Sequence, residues 1–336
     1  MTHTAGELTS TPTWQRMLAE AVREPGVLLD QLGLDRDLLP AARSAAGLFP
    51  LRVPWPYLRR MRYADPADPL LRQVLPLDAE HHDPPGYDTD PVGDGEALQP
   101  GGVIHKYHGR ALLVATGACA INCRYCFRRH FPYTEVNAST GEWSQALDYL
   151  SEQTSISEVI LSGGDPLSLT DRRLQALVPE LARLPHIRRL RVHSRLPVVL
   201  PQRINDALLD WLAGSRLQPI MVIHANHARE LDDEVAAAMS RLQQAGVTLL
   251  NQAVLLRGVN DDAAAISSLS ERLFDIGVHP YYLHLLDTVR GAAHFEVDAV
   301  SAGAVMREVS ARLPGYMVPR LVREIAGEPA KTWAHW

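Results

Sequence analysis

Short apolar runs alternate with amphipathic helical patterns along most of the chain, with a repeat of roughly 30 residues from Ala111 onward. The apolar runs end in polar or glycine-rich turns and predict strands at residues 112–116, 159–162, 190–193, 220–224, 249–254 and 281–285. Helical patterns are predicted near residues 141–153, 171–183, 205–213, 232–245, 262–276 and 301–313. The first of them opens with Ser139 and Glu142, a capping-box pair. Repeated strand–helix units imply an α/β fold with a parallel sheet, either doubly wound or an incomplete barrel.

Residues 1–95 follow a different pattern. An amphipathic helix is predicted to begin at Thr11-Pro12-Thr13, and a short helical pair is predicted at residues 27–39. Nine of the 24 prolines lie between residues 51 and 100, where they exclude long helices and central strands. We therefore expect a small N-terminal helical domain with an extended connector at 1–95, an α/β domain at 96–315 and a C-terminal segment at 316–336.

All three cysteines lie within eight residues, as Cys119, Cys123 and Cys126, in a C-x3-C-x2-C pattern. Thiolates at this spacing are suited to hold three irons of a [4Fe–4S] cluster and to leave the fourth iron open. The alternatives are a zinc site completed by His130, a disulfide with one free thiol, or ordinary buried cysteines. The spacing favours the cluster. Because the cysteines follow the first predicted strand directly, where α/β barrels carry their chemistry, their position also favours a barrel.

Composition limits the classes of function. Apolar residues make up 46% of the chain, but no apolar run approaches the about 18 residues of a membrane span, and the N-terminus lacks a secretory pattern. Cytoplasm is the expected location. The net charge of −6 comes from interspersed charges and gives little support for nucleic-acid binding. Only Lys106 and Lys331 among the 33 basic residues are lysines, so a Schiff-base amine would have two candidates.

Polar residues follow several of the predicted strands. Ser162-Gly163-Gly164-Asp165 permits close approach of the backbone to a ligand, or is simply a flexible turn. Arg195 and Arg203 follow the third strand, where guanidinium groups bind phosphate or carboxylate if they do not lie on a solvated loop.

The later strands end in His224, Gln252 and Asp287, which are polar but carry no metal-ligand spacing. Hydrogen-bonding roles are therefore predicted for His224 and Gln252. An isolated aspartate such as Asp287 is usually a turn or cap residue, and a terminal lysine such as Lys331 is usually solvated.

Together, over about residues 65–331, these motifs resemble the lysine 2,3-aminomutase family of radical S-adenosylmethionine (SAM) and pyridoxal-phosphate (PLP) enzymes. The matching motifs are Cys119-x3-Cys123-x2-Cys126-x-Arg128-Arg129, Ser162-Gly-Gly-Asp-Pro, Ser194-Arg195 with Pro-Val-Val-Leu-Pro-Gln-Arg203, Gln252 with Leu-Leu-Arg-Gly-Val-Asn, Pro-Tyr-Tyr before Asp287, and His294-Phe295. The C-terminal Arg-Glu-Ile-Ala-Gly-Glu-Pro-Ala-Lys331 is similar to the EpmB branch, which makes (R)-β-lysine for translation elongation factor P. The resemblance implies a six-unit partial radical SAM barrel, (β/α)6.

The resemblance also implies roles for individual residues. It assigns the cluster to Cys119, Cys123 and Cys126, SAM contacts to Ser162, Gly163, Gly164, Asp165, His224 and Gln252, and binding of PLP or SAM to Arg195 and Arg203. Lys331 would carry PLP as a Schiff base, Arg128 would pair with the substrate carboxylate, and Asp287 and Glu324 would hold the distal ammonium group. Glu324 stands where the family has an aspartate.

The implied partners are substrate lysine, elongation factor P with its lysyl ligase, and an electron donor of the flavodoxin or ferredoxin type. No nucleic acid or membrane partner is expected. The sequence leaves two alternatives open. One is an aminomutase that makes free β-lysine or acts on glutamate, although Asp287 argues against glutamate. The other is a zinc- or cluster-stabilised binding module without catalytic activity.

Overall fold

The computed structural model describes residues 13–136 and 143–334. Within these ranges, ten strands form one sheet in chain order. They are β1 (Leu98–Gln99), β2 (Val103–Tyr107), β3 (Arg110–Thr116), β4 (Glu158–Gly163), β5 (Arg189–Ser194), β6 (Gln218–Ile223), β7 (Thr248–Val254), β8 (His279–His284), β9 (Arg320–Arg323) and β10 (Thr332–Trp333). Neighbours from β3 to β9 pair in parallel, whereas β1, β2 and β10 pair antiparallel at the two ends.

The helices lie between and before these strands. They are α1 (Thr13–Ala19), α2 (Pro25–Leu32), α3 (Leu39–Leu48), α4 (Trp55–Leu58), α5 (Pro69–Arg72), α6 (Ser144–Glu152), α7 (Asp171–Arg183), α8 (Leu196–Val199), α9 (Asp206–Ala213), α10 (Asp233–Gln244), α11 (Ala263–Asp275) and α12 (Ala299–Arg312). The later helices begin at side-chain caps: Asn205, Asp232, Asp262 and Asp298 each accept a backbone N–H of the first turn.

Strands β3 to β8, each followed by a helix, form six β/α units, which confirms the predicted partial (β/α)6 barrel. The six predicted strands are all present, with bounds that differ by about two residues or less. The capping pair Ser139 and Glu142 and the helix start at Thr11 lie outside the described residues. The four strands at the two ends of the sheet are not among the predicted ones. Strands β1 and β10 have only two residues each, Val103–Tyr107 ends in polar residues, and Arg320–Arg323 contains only two apolar side chains.

The N-terminal helices pack against the barrel rather than apart from it. Leu28, Leu71 and Tyr57 are fully buried in the same hydrophobic cluster as the barrel residues Leu113 and Val159. Burial of such side chains stabilises the fold by about 1.5–3 kcal/mol each. In the proline-rich stretch, α4 and α5 are single turns with proline in the first turn, as the sequence pattern requires.

The loop that carries the three cysteines leaves the carboxyl end of β3, at the edge of the sheet where the other strand-end loops also lie. Among the described helices, none combines the length and the hydropathy needed to cross a membrane.

Candidate active site

A cavity of about 710 Å³ follows the inner face of the barrel. Its wall contains alternate residues of successive strands, such as Glu158, Ile160 and Ser162 of β4. Side chains two apart on a strand share one face, so the interior positions of β3 to β8 line the cavity. The three cysteines lie at the end where the strands finish, and Arg110 lies where β3 begins.

The cysteine loop is anchored by ion pairs that the sequence did not reveal. Arg124 lies between Cys123 and Cys126 but is fully buried, and it donates to both carboxylate oxygens of Glu80, at 2.8 and 2.5 Å. Arg129 donates to the same carboxylate at 2.8 Å. Glu80 comes from the N-terminal segment, so that segment fixes the path of the loop.

The geometry of the loop argues against two of the alternatives. All three cysteines are free, and no three His, Cys, Asp or Glu side chains in the described part of the chain are placed to hold a single metal ion. His130, the expected fourth zinc ligand, is exposed and contacts the carbonyl oxygen of Arg290. An iron–sulfur cube places each thiolate on a different iron, so it requires three thiols around one space rather than around one ion.

Burial and neighbouring thiols keep two of these cysteines protonated when no metal is bound. Desolvation, with the charge of Cys126 next in size, raises the pKa of Cys119 well above its usual value. Desolvation and Cys123 raise the pKa of Cys126 to about 11. The thiolates that a cluster needs therefore form together with metal binding, because the metal replaces the protons.

The glycine motif after β4 packs directly against the start of the cysteine loop. A Cβ on Gly164 would lie 2.6 Å from the carbonyl oxygen of Ala118, and Gly163 has φ of +109°, which favours glycine. The amide of Gly164 donates to Thr116 O at 2.7 Å. The carboxylate of Asp165 accepts from Ser194 Oγ at 2.7 Å. The motif thus joins the cysteine loop to the loop after β5.

His224 and Gln252, both predicted to contact SAM, lie side by side in the cavity wall. Their Nε2 atoms are 3.0 Å apart, and the ring of His193 meets that of His224 edge-on at 5.9 Å. Burial, followed by the charges of Arg195 and Arg128, lowers the pKa of His224 to about 3. Its imidazole is therefore neutral at physiological pH.

A chain of alternating charges crosses the cavity wall. Lys331 Nζ lies 2.5 Å from Glu324, and the other oxygen of Glu324 lies 3.1 Å from Lys106. Lys106 lies 2.6 Å from Asp94, whose second oxygen accepts from Arg128 Nε at 2.7 Å. The structure thus brings together the predicted Arg128, Glu324 and Lys331, and it adds Asp94 and Lys106 between them.

The pKa values of Glu324 and Asp287, two carboxylates of the cavity, are shifted in opposite directions. Burial would raise the pKa of Glu324, but Lys331 and Lys106 outweigh it and lower the pKa to about 2. Burial and the charge of Glu324 raise the pKa of Asp287 to about 7. Asp287 Oδ1 is buried without a hydrogen-bond partner among the described residues. Among the described residues, Asp287 therefore forms no ion pair, whereas Glu324 forms two.

The two predicted cofactor-binding arginines have different positions. Arg195 lines the cavity and its Nη1 lies 2.7 Å from Cys123 Sγ. Arg203 is fully buried outside the cavity lining, donates to Leu167 O at 2.8 Å and pairs with Asp171 at 2.7 Å. This position gives Arg203 a structural role in bracing the loops after β4 and β5 and does not support contact with a cofactor.

A second group of arginines lies in the cavity wall outside the predicted site residues. Arg110, Arg189 and Arg191 line the cavity near the start of β3 and β5, with Glu158 paired to the latter two. Arg191 Nε is buried without a hydrogen-bond partner in the described residues. The signal was present in β5, where arginines at alternate positions of a strand point to one face.

Comparison with known proteins places these features in a family. The model of the radical SAM superfamily matches residues 113–267. The chain is 51% identical over 324 residues to the L-lysine 2,3-aminomutase of Escherichia coli (strain K12), a match that covers 96% of this chain and 94% of that protein.

Two further relatives carry the same name. Identity is 47% with the protein of Haemophilus influenzae, over 95% of this chain and 94% of the relative. Identity is 34% with that of Clostridium subterminale, over 82% of this chain and 66% of the relative. Since these matches extend over most of the chain and include the cysteine loop and the barrel, the protein belongs to the lysine 2,3-aminomutase family of the radical SAM superfamily.

Proposed function

We propose that the protein is a lysine 2,3-aminomutase that converts (S)-α-lysine into (R)-β-lysine. The observation that carries the proposal is the convergence of the cysteine loop and Lys331, which are far apart in the sequence, on one cavity. The names of the E. coli and H. influenzae relatives support the same activity.

The cysteine loop fits a [4Fe–4S] cluster, because its three thiols are free and line one end of the cavity. Cys119, Cys123 and Cys126 would each hold one iron. When bound, the cluster would supply the electron for reductive cleavage of SAM into methionine and a 5′-deoxyadenosyl radical. Candidate SAM contacts line the same cavity as the cysteines: the backbone of Gly163 and Gly164 and the side chains of Ser162, His224 and Gln252.

Other residues of the cavity wall fit PLP. Lys331 supplies the amine, and the guanidinium groups of Arg110 and Arg191 supply donors for a phosphate, one of which is an unpartnered buried N–H. When bound, PLP would supply a carbonyl group and a conjugated ring that allow the amino group of a substrate radical to move between neighbouring carbons. Glu324 stays ionised at neutral pH and holds Lys331 Nζ at the cavity wall.

Substrate lysine would bind between two charged groups. Arg128 donates to Asp94 through Nε and to Ser162 through Nη1, and its Nη2 forms no hydrogen bond with the described residues, so it is available to the substrate carboxylate. Asp287 would pair with the distal ammonium group. A glutamate side chain would instead face Asp287 and Glu324, and like charges in a buried site disfavour it.

An anaerobic assay with SAM, PLP, dithionite and either lysine or glutamate tests the activity. We expect β-lysine from lysine and no product from glutamate. In Lys331→Ala we expect loss of the PLP absorbance while the iron content stays unchanged. Cleavage of SAM in the presence of lysine without β-lysine formation would rule out the aminomutase, and equal PLP binding by wild type and variant would rule out Lys331 as the anchor.

We further propose that the product modifies translation elongation factor P in the cytoplasm, and that a flavodoxin or ferredoxin supplies the electron. The support is the resemblance of the C-terminal segment to the EpmB branch, together with the near full-length match to the E. coli relative. Elongation factor P incubated with its lysyl ligase and this enzyme should gain the mass of one β-lysyl group. A product that accumulates free while elongation factor P stays unmodified would favour the alternative pathway.

A further inference from the structure

Arg195 connects the cysteine loop to a buried polar network. It is 4% exposed, follows β5, and its Nη1 lies 2.7 Å from Cys123 Sγ. We propose that Arg195 is a positioning residue that raises the reduction potential of the cluster by donating an N–H to the Cys123 sulfur. The inference goes beyond the proposed function, because it requires the cluster but not the reaction of lysine.

The guanidinium group of Arg195 is fixed by contacts on its other side. Its Nη2 donates to Gln73 Oε1 at 2.6 Å, to Glu230 Oε2 at 3.0 Å and to Tyr57 OH at 3.1 Å. The rings of Tyr57 and Tyr125 lie 5.3 and 5.7 Å from its central carbon. These contacts restrict Arg195 to one orientation, in which Nη1 faces the sulfur.

Glu230, the carboxylate that pairs with Arg195, also accepts hydrogen bonds from other groups. Glu230 is fully buried, and its Oε1 accepts from Gln73 Nε2 at 3.0 Å and from the amides of Asn226 and His227 at 2.9 and 3.1 Å. Because these donors also interact with the negative charge of Glu230, the carboxylate neutralises the positive charge of Arg195 only in part. Positive potential therefore remains at Nη1, next to Cys123.

A donor at a ligand sulfur acts on the charge state of the cluster. One electron from a low-potential one-electron donor converts the 2+ cluster into the 1+ state, with no proton transferred and no bond to the protein changed. The added negative charge spreads onto the sulfurs, so a neighbouring cation and N–H stabilise the reduced state more than the oxidised state. Reduction then becomes easier.

Residues of the N-terminal segment hold Arg195 in place and so contribute to the proposed effect on the reduction potential. Tyr57 and Gln73 both precede the barrel, yet they hold the arginine that contacts a cluster ligand. Gln73 also accepts from Asn226 Nδ2 at 2.9 Å, which joins the segment to the loop after β6. The N-terminal segment thus holds Arg195 in position beside Cys123, in addition to supporting the cysteine loop.

The test is an EPR-monitored redox titration of the reconstituted, full-length protein without lysine, with dithionite as reductant. We expect a lower midpoint potential in Arg195→Gln and a higher one in Glu230→Gln, because the first removes a cation and the second removes an anion. The matched control is Arg203→Gln, which breaks another ion pair of a buried arginine after the same strand, away from the cysteines. Its potential should equal that of wild type.

Iron and sulfide contents of each variant accompany the titration. An Arg195→Gln protein that holds a full cluster at the wild-type potential would overturn the proposal. If Arg195→Gln fails to hold a cluster, Glu230→Gln decides the question, since it keeps the arginine and is expected to shift the potential in the opposite direction. An unchanged or lowered potential in Glu230→Gln would then overturn it.

Discussion

The pKa of a buried carboxylate in the cavity depends on whether a positive charge lies beside it, and Asp287 is a carboxylate for which burial outweighs the positive charges. Its pKa of about 7 in the fold exceeds that of an aspartate in an unfolded chain, so the folded state binds the proton more tightly. The contribution of Asp287 to the free energy of unfolding should therefore fall as pH rises from about 4 to about 7 and stay level above that range.

Asp287→Asn should remove this dependence. We expect the variant to be more stable than wild type at pH 8 by roughly 1–4 kcal/mol and nearly equal to it at pH 4, because the asparagine carries no charge to bury. Urea denaturation at the two pH values measures the difference. The variant should also lose lysine turnover. A variant that is less stable than wild type at pH 8 would show that Asp287 has a favourable partner in the empty enzyme.

Asp94 has the opposite character, since it is buried between two cations. Asp94→Asn leaves Arg128 and Lys106 without their shared carboxylate, and loss of one member of a buried ion pair costs roughly 3–5 kcal/mol. We expect the free energy of unfolding measured by urea denaturation to fall by that amount, which lowers the urea midpoint. Glu96→Gln, an exposed carboxylate two residues further along, is the control and should change stability by less than about 0.5 kcal/mol. Equal midpoints for the two variants would exclude the bridging role of Asp94.

Residue types alone could not assign these roles. Lys106 and Lys331 were found by counting amines, but Asp94 lies in a proline-rich stretch with several other acidic residues and no pattern that distinguishes it. Only the fold brings it within 2.7 Å of Arg128. Arg203, in contrast, belongs to a recognisable motif and still lies outside the cavity, because a motif preserves structural contacts as well as ligand contacts.

At the scale of elements, the glycine motif after β4 supports the cysteine loop. A Cβ at position 164 would meet the backbone of Gly117 and Ala118 at 2.8 and 2.6 Å, and backbone atoms have little freedom to move. Gly164→Ala should therefore displace the loop and reduce the iron content after reconstitution by more than half, while far-UV circular dichroism stays unchanged.

The control for this variant is Gly315→Ala, where an added Cβ has no heavy atom within 4 Å. Its iron content should equal that of wild type. Full iron content in Gly164→Ala would mean that the loop accommodates the methyl group. The close packing of Gly164 against the cysteine loop would then not be needed for cluster binding.

Elements with a strong periodic pattern were predictable and those at the ends of the sheet were not. The helix α7 coincides with its predicted range of 171–183, since four buried apolar residues repeat at helical spacing. Strand β9 is only four residues long, and its pairing with β8 rather than its own sequence makes it a strand. It matters because it ends immediately before Glu324.

At the scale of the whole molecule, one hydrophobic cluster extends from α2 through the barrel to α12. A shared core predicts that the N-terminal helices and the barrel unfold together. Hydrogen–deuterium exchange in low denaturant should give the same opening free energy for peptides from α2 and from β7. Peptides from α2 that exchange at lower denaturant would show that residues 1–95 form an independent unit.

The sequence by itself determined the α/β class, the six strand–helix units and the cysteine motif, because these depend on local periodicity and on spacing within a single loop. The tertiary structure decided which charges meet. It placed Glu324 between Lys331 and Lys106, left Asp287 Oδ1 without a hydrogen-bond partner among the described residues, and set Arg195 against Cys123. These contacts join residues from distant parts of the chain, and their strength depends on how far the fold excludes water, which no local pattern encodes.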